Sequence, residues 1–170
     1  TLRHRQLALL DPASWDDRND RYFMDLYKEE QRLGGLYAAC AATCFETYHH
    51  WRVFTASADG ACIEIFRKPL EEALSMLDGV RFGEVEYLRL DEVEKLGERD
   101  SPNLPFFKRV AFKPEQEYRI IVETSEPQRS AIYIDLPLEW IGRIVLNPWL
   151  PERVSGSCFQ SDTWMLGPSC

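Results

Sequence analysis

Residues 104–123, LPFFKRVAFKPEQEYRIIVE, hold the densest set of side chains that could do chemistry. Lys108 and Arg109 precede a Glu-x-Glu-x-Arg run of Glu115, Glu117 and Arg119, and an apolar stretch follows. In an extended strand side chains alternate, so Tyr118, Ile120 and Val122 face one way while Glu115, Glu117, Arg119 and Ile121 face the other. The charged face of an antiparallel sheet is commonly solvated. Two features point instead to a polar site on a sheet floor. Ile121 shares the charged face, and Lys108 and Arg109 fall in the preceding strand, within hairpin reach of the carboxylates. A partly buried cluster of this kind shifts pKa values and orients a ligand. Glu117 and Glu115 are therefore the candidate catalytic carboxylates, with Lys108 and Arg119 as candidate binding cations.

Two other stretches carry polar groups at suggestive spacing. In TCFETYHHWRVF, Glu46 stands three and four residues before His49 and His50, which is one face if the segment is helical. Metal sites use that spacing, but no second ligand cluster accompanies it, and no metal is expected. Trp51 and Phe54 read as core with one His hydrogen-bonded nearby, while a neutral His50 at a pocket edge is placed to touch a substrate. In SWDDRND, Ser14 reads as a helix cap with Asp17 three residues on, and acids there favour the helix dipole. The polar run from Asp16 to Asp20 exceeds what capping needs, which makes Asp17 a candidate binding residue. DEVEK has the residue types of a nuclease signature, but its helical character argues against one. P-loop, GxGxxG and GxSxG patterns do not occur.

The elements that must position these groups follow from periodicity and turn signals. Gln6–Leu10 reads as a short strand stopped by Pro12, and Tyr22, Phe23, Leu26, Tyr27 and Leu33 recur at helical spacing up to Gly34-Gly35. A buried strand is expected over Leu36–Phe45, a short helix or turn over TYHHWRVF, a strand over ACIEIF and a helix over Leu70–Leu77. RFGEVEYLRL alternates like a strand, Asp91–Leu96 reads as a short polar helix, and GERDSPNLP as a loop. Strands are then expected over Phe106–Phe112, Glu117–Glu123 and Ala131–Asp135, with a last strand ending near Pro148. The C-terminal strands lack helices long enough for parallel crossovers. The class is α+β: a single domain over 1–150 with a mixed, mostly antiparallel sheet, split in two or not, flanked by short helices. Residues 151–170 read as a tail either packed on the domain through Phe159, Trp164 and Met165 or partly disordered.

Composition narrows the function classes. The chain has 170 residues, 45% of them hydrophobic, enough for a real core. A net charge of −8 argues against bulk nucleic-acid binding, which needs a basic field. The longest apolar runs fall far short of a membrane span. The chain opens without Met or a secretory leader pattern, which suggests a piece of a longer chain with an N-terminal strand missing. The five cysteines form no CxxC pair; three of them lie in apolar segments, so free thiols and a cytoplasmic location are expected.

Taken in order, LDPASWDDRND, HHWRVF, DGACIEIF, VEYL, KRVAFKPEQEYRIIV and IGRIVLNP resemble a bacterial family called domain of unknown function 2971. The resemblance covers roughly residues 6–148 and lies in the order of the motifs. It places the family's polar positions on Asp17, Trp51, Gly60, Lys108, Glu115, Glu117 and Arg119. Family members usually begin with a Tyr-x-Tyr-Arg strand; here TLRHR stands in that region, with His4 or Arg5 as the substitute. A weaker resemblance, to ADP-ribosyltransferases, rests on a basic or His residue on a first strand, a central aromatic and a late Glu-x-Glu. It implies NAD as substrate, with Glu117 at the nicotinamide ribose, Trp51 stacked on the nicotinamide and Arg119 or Lys108 on the pyrophosphate. Such an enzyme, acting as a toxin or phage-defence component on a small nucleotide ligand, is one expectation. A non-catalytic ligand- or protein-binding module is the alternative. A metal-dependent hydrolase or nuclease using Asp17 with Glu115 and Glu117 is the third reading.

Overall fold

Residues 2–55 and 57–151 are described by a computed structural model. Chain order runs β1 (Gln6–Leu10), α1 (Arg18–Glu30), β2 (Gly35–Ala42), α2 (Tyr48–Phe54), β3 (Ala61–Ile65), α3 (Arg67–Leu74), β4 (Val80–Glu84) and β5 (Glu86–Leu88). It continues through α4 (Leu90–Val93), β6 (Phe107–Arg109), β7 (Glu117–Thr124), β8 (Ala131–Asp135) and β9 (Ile141–Leu146). Short 3-10 turns fill several connections, the longest over Glu98–Phe106 and Val110–Glu115. The result is an α+β domain built on a five-stranded antiparallel sheet in the order β4-β7-β2-β1-β8. Two small sheets accompany it, an antiparallel β3-β9 pair and a parallel β5-β6 pair. Of the tail expected over 151–170, all but Pro151 lies outside the described residues, and so do Cys158 and Cys170.

Strand β7, between β4 and β2, is buried on both faces, because each face has its own core. Tyr118 and Ile120 join Leu9, Tyr37, Leu70 and Leu74 on the α3 side, and Val122 packs against that cluster half-buried. Ile121 joins Phe23, Met24 and Tyr27 of α1 on the other side, together with Leu104 and Phe107. Burial on both faces excludes a solvated charged face, and the charged side chains of β7 lie on a buried floor.

Strand β2 supplies the room this arrangement needs. Its register with β7 sets Ala38 beside Ile121, Cys40 beside Arg119 and Ala42 beside Glu117. Cross-strand neighbours share a face, so small residues on β2 leave space for the long charged side chains of β7. On its other edge β2 pairs with β1 only at Leu10↔Ala38, whereas β1 pairs with β8 along its whole length. A seam thus opens from that point, and Cys40, Ala41 and Ala42 along it are exposed.

Several expected elements differ. RFGEVEYLRL, expected to alternate as one strand, is divided at Val85 into β4 and β5, which belong to different sheets. The strand expected over Phe106–Phe112 is only Phe107–Arg109, and it pairs in parallel with β5 instead of forming a hairpin with β7. Pro114 has no N–H to give a ladder, and Gln116 takes a left-handed φ of 42°, so residues 110–115 wind a 3-10 turn back toward the sheet. Glu115 consequently precedes the strand instead of sharing its alternation. The cap of α1 is Asp17, not Ser14: Asp17 Oδ1 accepts from the backbone N–H groups of Asn19 and Asp20. Ser14 instead ends a 3-10 turn begun by Pro12.

A buried ion network as the candidate functional site

The first turn of α1, the 3-10 turn before β7, and strands β6 and β7 bring five charged side chains together: Asp20, Lys108, Glu115, Glu117 and Arg119. All are buried, Glu117 to 2% exposure and Arg119 to 0%. Lys108 Nζ sits at the centre, 2.7 Å from Glu115 Oε2, 2.9 Å from Glu117 Oε2 and 3.2 Å from Asp20 Oδ2. Arg119 spans the other side, donating from Nε to Glu117 Oε1 at 2.7 Å, from Nη2 to Asp20 Oδ2 at 2.9 Å and from Nη1 to the Pro105 carbonyl at 2.7 Å. The rings of Trp15 and Phe112 lie 5.0 Å from the Arg119 and Lys108 cations. The Glu117 backbone N–H donates to the Tyr87 hydroxyl at 2.8 Å.

Three carboxylates against two cations leave one negative charge in excess, and the carboxylates respond differently. Burial alone would raise the Glu117 pKa, but the Arg119 and Lys108 charges overcome it and hold Glu117 below the usual range. For Asp20 burial wins: Arg119 and Lys108 offset it only partly, Glu117 repels, and the pKa stands above its usual value. Burial works against the Lys108 charge, yet Asp20 and Glu117 raise its pKa all the same. Glu117 is thus held ionised more firmly than Asp20.

Three buried polar atoms find no hydrogen-bond partner among the described residues: Asp17 Oδ2, Asp20 Oδ1 and His49 Nε2. His49 is partly exposed over the network, its Nε2 3.7 Å from Glu115 Oε1, too long for a hydrogen bond. His50 is turned inward. Its Nδ1 accepts from the Thr47 N–H at 3.1 Å, which leaves the proton on Nε2 to donate to the Glu115 carbonyl at 3.1 Å. That pair staples α2 to the turn bearing Glu115.

Of the residues singled out in the sequence, Glu115, Glu117, Lys108 and Arg119 come together, with His50 bonded to the Glu115 backbone. Asp17 caps the helix whose first turn carries Asp20. Trp51 is buried in α2, while the ring lying on Arg119 is that of Trp15. Arg5 is exposed ahead of β1, with φ of 51°, and β1 is separated from β7 by β2. Arg109 makes no ion pair among the described residues; it borders a shallow cleft of about 330 Å³ between 88–91 and 109–111. Glu46 lies outside α2, which begins after Thr47, so it shares no helical face with the histidines. Asp20, Trp15 and Cys40 were not singled out by spacing, and His49 was singled out only with Glu46, not with the carboxylate it faces, Glu115. The excess of acids over capping needs in Asp16–Asp20 was the available signal for Asp20.

Cys40 is open to solvent on the seam, beside Glu117. Desolvation of the thiol first and the Glu117 carboxylate second push its pKa well up. A thiol held protonated is a poor nucleophile. Cys40, Cys44 and Cys62 are all free. Among the described residues no cluster of His, Cys, Asp and Glu is arranged to hold a metal ion, and no helix is long and apolar enough to cross a membrane. Lys108 occupies the position between the carboxylates that a cation would take.

No protein-family model matches this chain, and neither a curated protein nor a solved structure matches it significantly. The likeness to domain of unknown function 2971, and the weaker one to ADP-ribosyltransferases, rests on the sequence motifs alone.

Proposed function

We propose that the chain binds the nicotinamide riboside end of NAD at this network and transfers or hydrolyses the ADP-ribosyl group. One observation carries the reading: buried acceptor oxygens without partners, Asp20 Oδ1 above all, sit in a network with one negative charge in excess. A matching ligand brings hydroxyl donors and positive charge, and the nicotinamide riboside has both: a ribose diol and a pyridinium. Unpartnered buried acceptors are costly, and ligand hydroxyls would relieve that cost.

The chemistry would use groups already in place. As the C1′–N bond breaks, its electron pair leaves with nicotinamide and positive charge grows on the ribose. Glu117, held ionised by Lys108 and Arg119, supplies a fixed negative field where that charge develops. Water, or the hydroxyl or amine of an acceptor, then bonds to C1′ and loses a proton; with water the products are ADP-ribose, nicotinamide and a proton. Both Glu117 oxygens are already engaged, so the ribose hydroxyls fall to Asp20 Oδ1 and Glu115 Oε1, and His49 swings aside to admit them. Full occupancy of the Glu117 oxygens is also what favours the second reading, a module that binds without chemistry.

Calorimetric titration with NAD and measurement of released nicotinamide separate these readings. A ligand that binds only the folded chain stabilises it by about 2.7 kcal/mol at a hundredfold excess over Kd. Thermal stabilisation with nicotinamide release supports the enzyme. Stabilisation without release supports the binding module. Neither effect at millimolar NAD sinks the proposal.

A further inference from the structure

We infer that Tyr48, Arg52 and Trp149 form a recognition frame for an adenine nucleotide, the base lying against the rings and the phosphate on the guanidinium. Helix α2 turns His50 and Trp51 inward and leaves Tyr48 and Arg52 outside. Arg52 Nε donates to the Tyr48 hydroxyl at 3.0 Å, and its guanidinium carbon lies 5.2 Å from the Tyr48 ring centre and 4.9 Å from that of Trp149. The two rings meet edge to face at 5.6 Å and 79°.

Trp149 is held in this position by a buried side chain. Asn147 Oδ1 accepts from the Trp149 N–H at 2.9 Å, while Asn147 Nδ2 donates to Thr55 Oγ1 and to the Ser57 carbonyl, both at 3.3 Å. The Asn147 backbone N–H donates to Gly60 O at 3.1 Å. The turn after β9 is thereby tied to the end of α2, and the frame is fixed from below.

What the frame lacks is an anion and a covering surface. Arg52, like Arg109, makes no ion pair among the described residues, but its guanidinium lies against two aromatic rings, in a chain of net charge −8. Its remaining N–H groups form a planar fork suited to phosphate oxygens. Both aromatic rings stay substantially in water, Tyr48 at 65% exposure and Trp149 at 45%. A flat base with an attached phosphate answers both needs, and neither inorganic phosphate nor a bare nucleoside does. His49 and Arg52 are three residues apart on α2, hence on neighbouring faces. A dinucleotide reaching over His49 would bring its adenylate end to this frame. The inference rests on the proposed function only in the choice of an adenine nucleotide as probe.

Calorimetric titration of the whole chain with AMP, adenosine and inorganic phosphate at low salt tests it. AMP is expected to bind, with adenosine and phosphate each weaker by about tenfold or more. Arg52→Ala and Trp149→Ala should each weaken AMP by about tenfold, and Arg52→Lys should not restore it, because ammonium lacks the stacked planar fork. Both sites are exposed, and unchanged circular dichroism and melting confirm that each variant folds. No AMP binding at millimolar concentration, or binding indifferent to Arg52→Ala, overturns the frame. AMP binding without nicotinamide release from NAD keeps the frame and removes the enzyme. Nicotinamide release and binding of nicotinamide mononucleotide without AMP binding do the reverse.

Discussion

Replacing Glu117 with Gln separates a solvated charge from a member of a buried network, and Asp20→Asn is its internal control. Gln keeps an acceptor oxygen for Arg119 Nε, now 2.7 Å from Glu117 Oε1, but turns an amide NH₂ toward Lys108 Nζ, now 2.9 Å from Oε2. One charge-assisted bond, of about 1.5–3 kcal/mol, is exchanged for two facing donors. Breaking a buried pair on one side costs about 3–5 kcal/mol when nothing else compensates. Lys108 retains Asp20 and Glu115, so the lower end, about 3 kcal/mol, is expected. Asp20→Asn keeps an acceptor for Arg119 and Lys108 and removes a charge that burial already opposes, so its cost should be about 1 kcal/mol. Urea unfolding at neutral pH reads both values. A Glu117→Gln cost within about 0.5 kcal/mol of zero, the range of surface sites, would refute the burial. A cost for Asp20→Asn equal to or above that of Glu117→Gln would refute the assignment of roles.

The same two variants should diverge with pH, measured by urea unfolding between about pH 3 and 7. Glu117 has its pKa lowered on folding, so its contribution is present above the unfolded value of 4.5 and lost as pH falls through the folded value; the deficit of Glu117→Gln should grow as pH rises. Asp20 has its pKa raised, so its contribution is present below the unfolded value of 3.8 and lost as pH rises through the folded one; the deficit of Asp20→Asn should shrink over the same range. Parallel pH curves for the two variants contradict both directions. Gly79→Ala should cost more than about 1 kcal/mol by thermal melting, since Gly79 has φ of 71° and a Cβ there would stand 2.5 Å from Glu123 O. Gly97→Ala, where a Cβ meets nothing within 4 Å, should stay within about 0.5 kcal/mol, and equal costs would discount the backbone argument. Glu117→Gln should also speed alkylation of Cys40 relative to Cys44 near pH 8, followed by peptide mass spectrometry, because the nearby carboxylate raises the thiol pKa. An unchanged ratio would remove that carboxylate as a cause.

Local pattern made part of this molecule legible. Gln6–Leu10 and Ala131–Asp135 stand where alternation and flanking turn residues placed them. The polar floor around Glu117 followed from Ile121 sharing a face with charges, a conflict that only burial on both sides resolves. What was hidden is non-local. FFKRVAF alternates like a long strand, and nothing local announces that three residues of it pair with β5 in parallel. Asp20 meets Arg119 across 99 residues of sequence, a distance no spacing rule spans. Trp15 and Trp51 both neighbour polar motifs, and only the packing of α1 decides which ring covers the guanidinium.

The position of β7 has a consequence for the order in which the chain can assemble during synthesis. Its neighbours in the sheet, β2 and β4, both lie before it in sequence, and it inserts between them. Until residues 117–124 emerge, each of those two strands has the edge that faces β7 unpaired, and the apolar faces that will cover β7 have nothing to close upon. At ~5–20 residues per second, the interval from the end of β4 to the end of β7 lasts about 2–8 s. For that time the nascent chain carries two unpaired edges and a split core, a state open to mispairing and to capture by chaperones. The Lys108–Glu115–Glu117 contacts form only in the last few residues of the interval, so the charged centre closes together with the sheet.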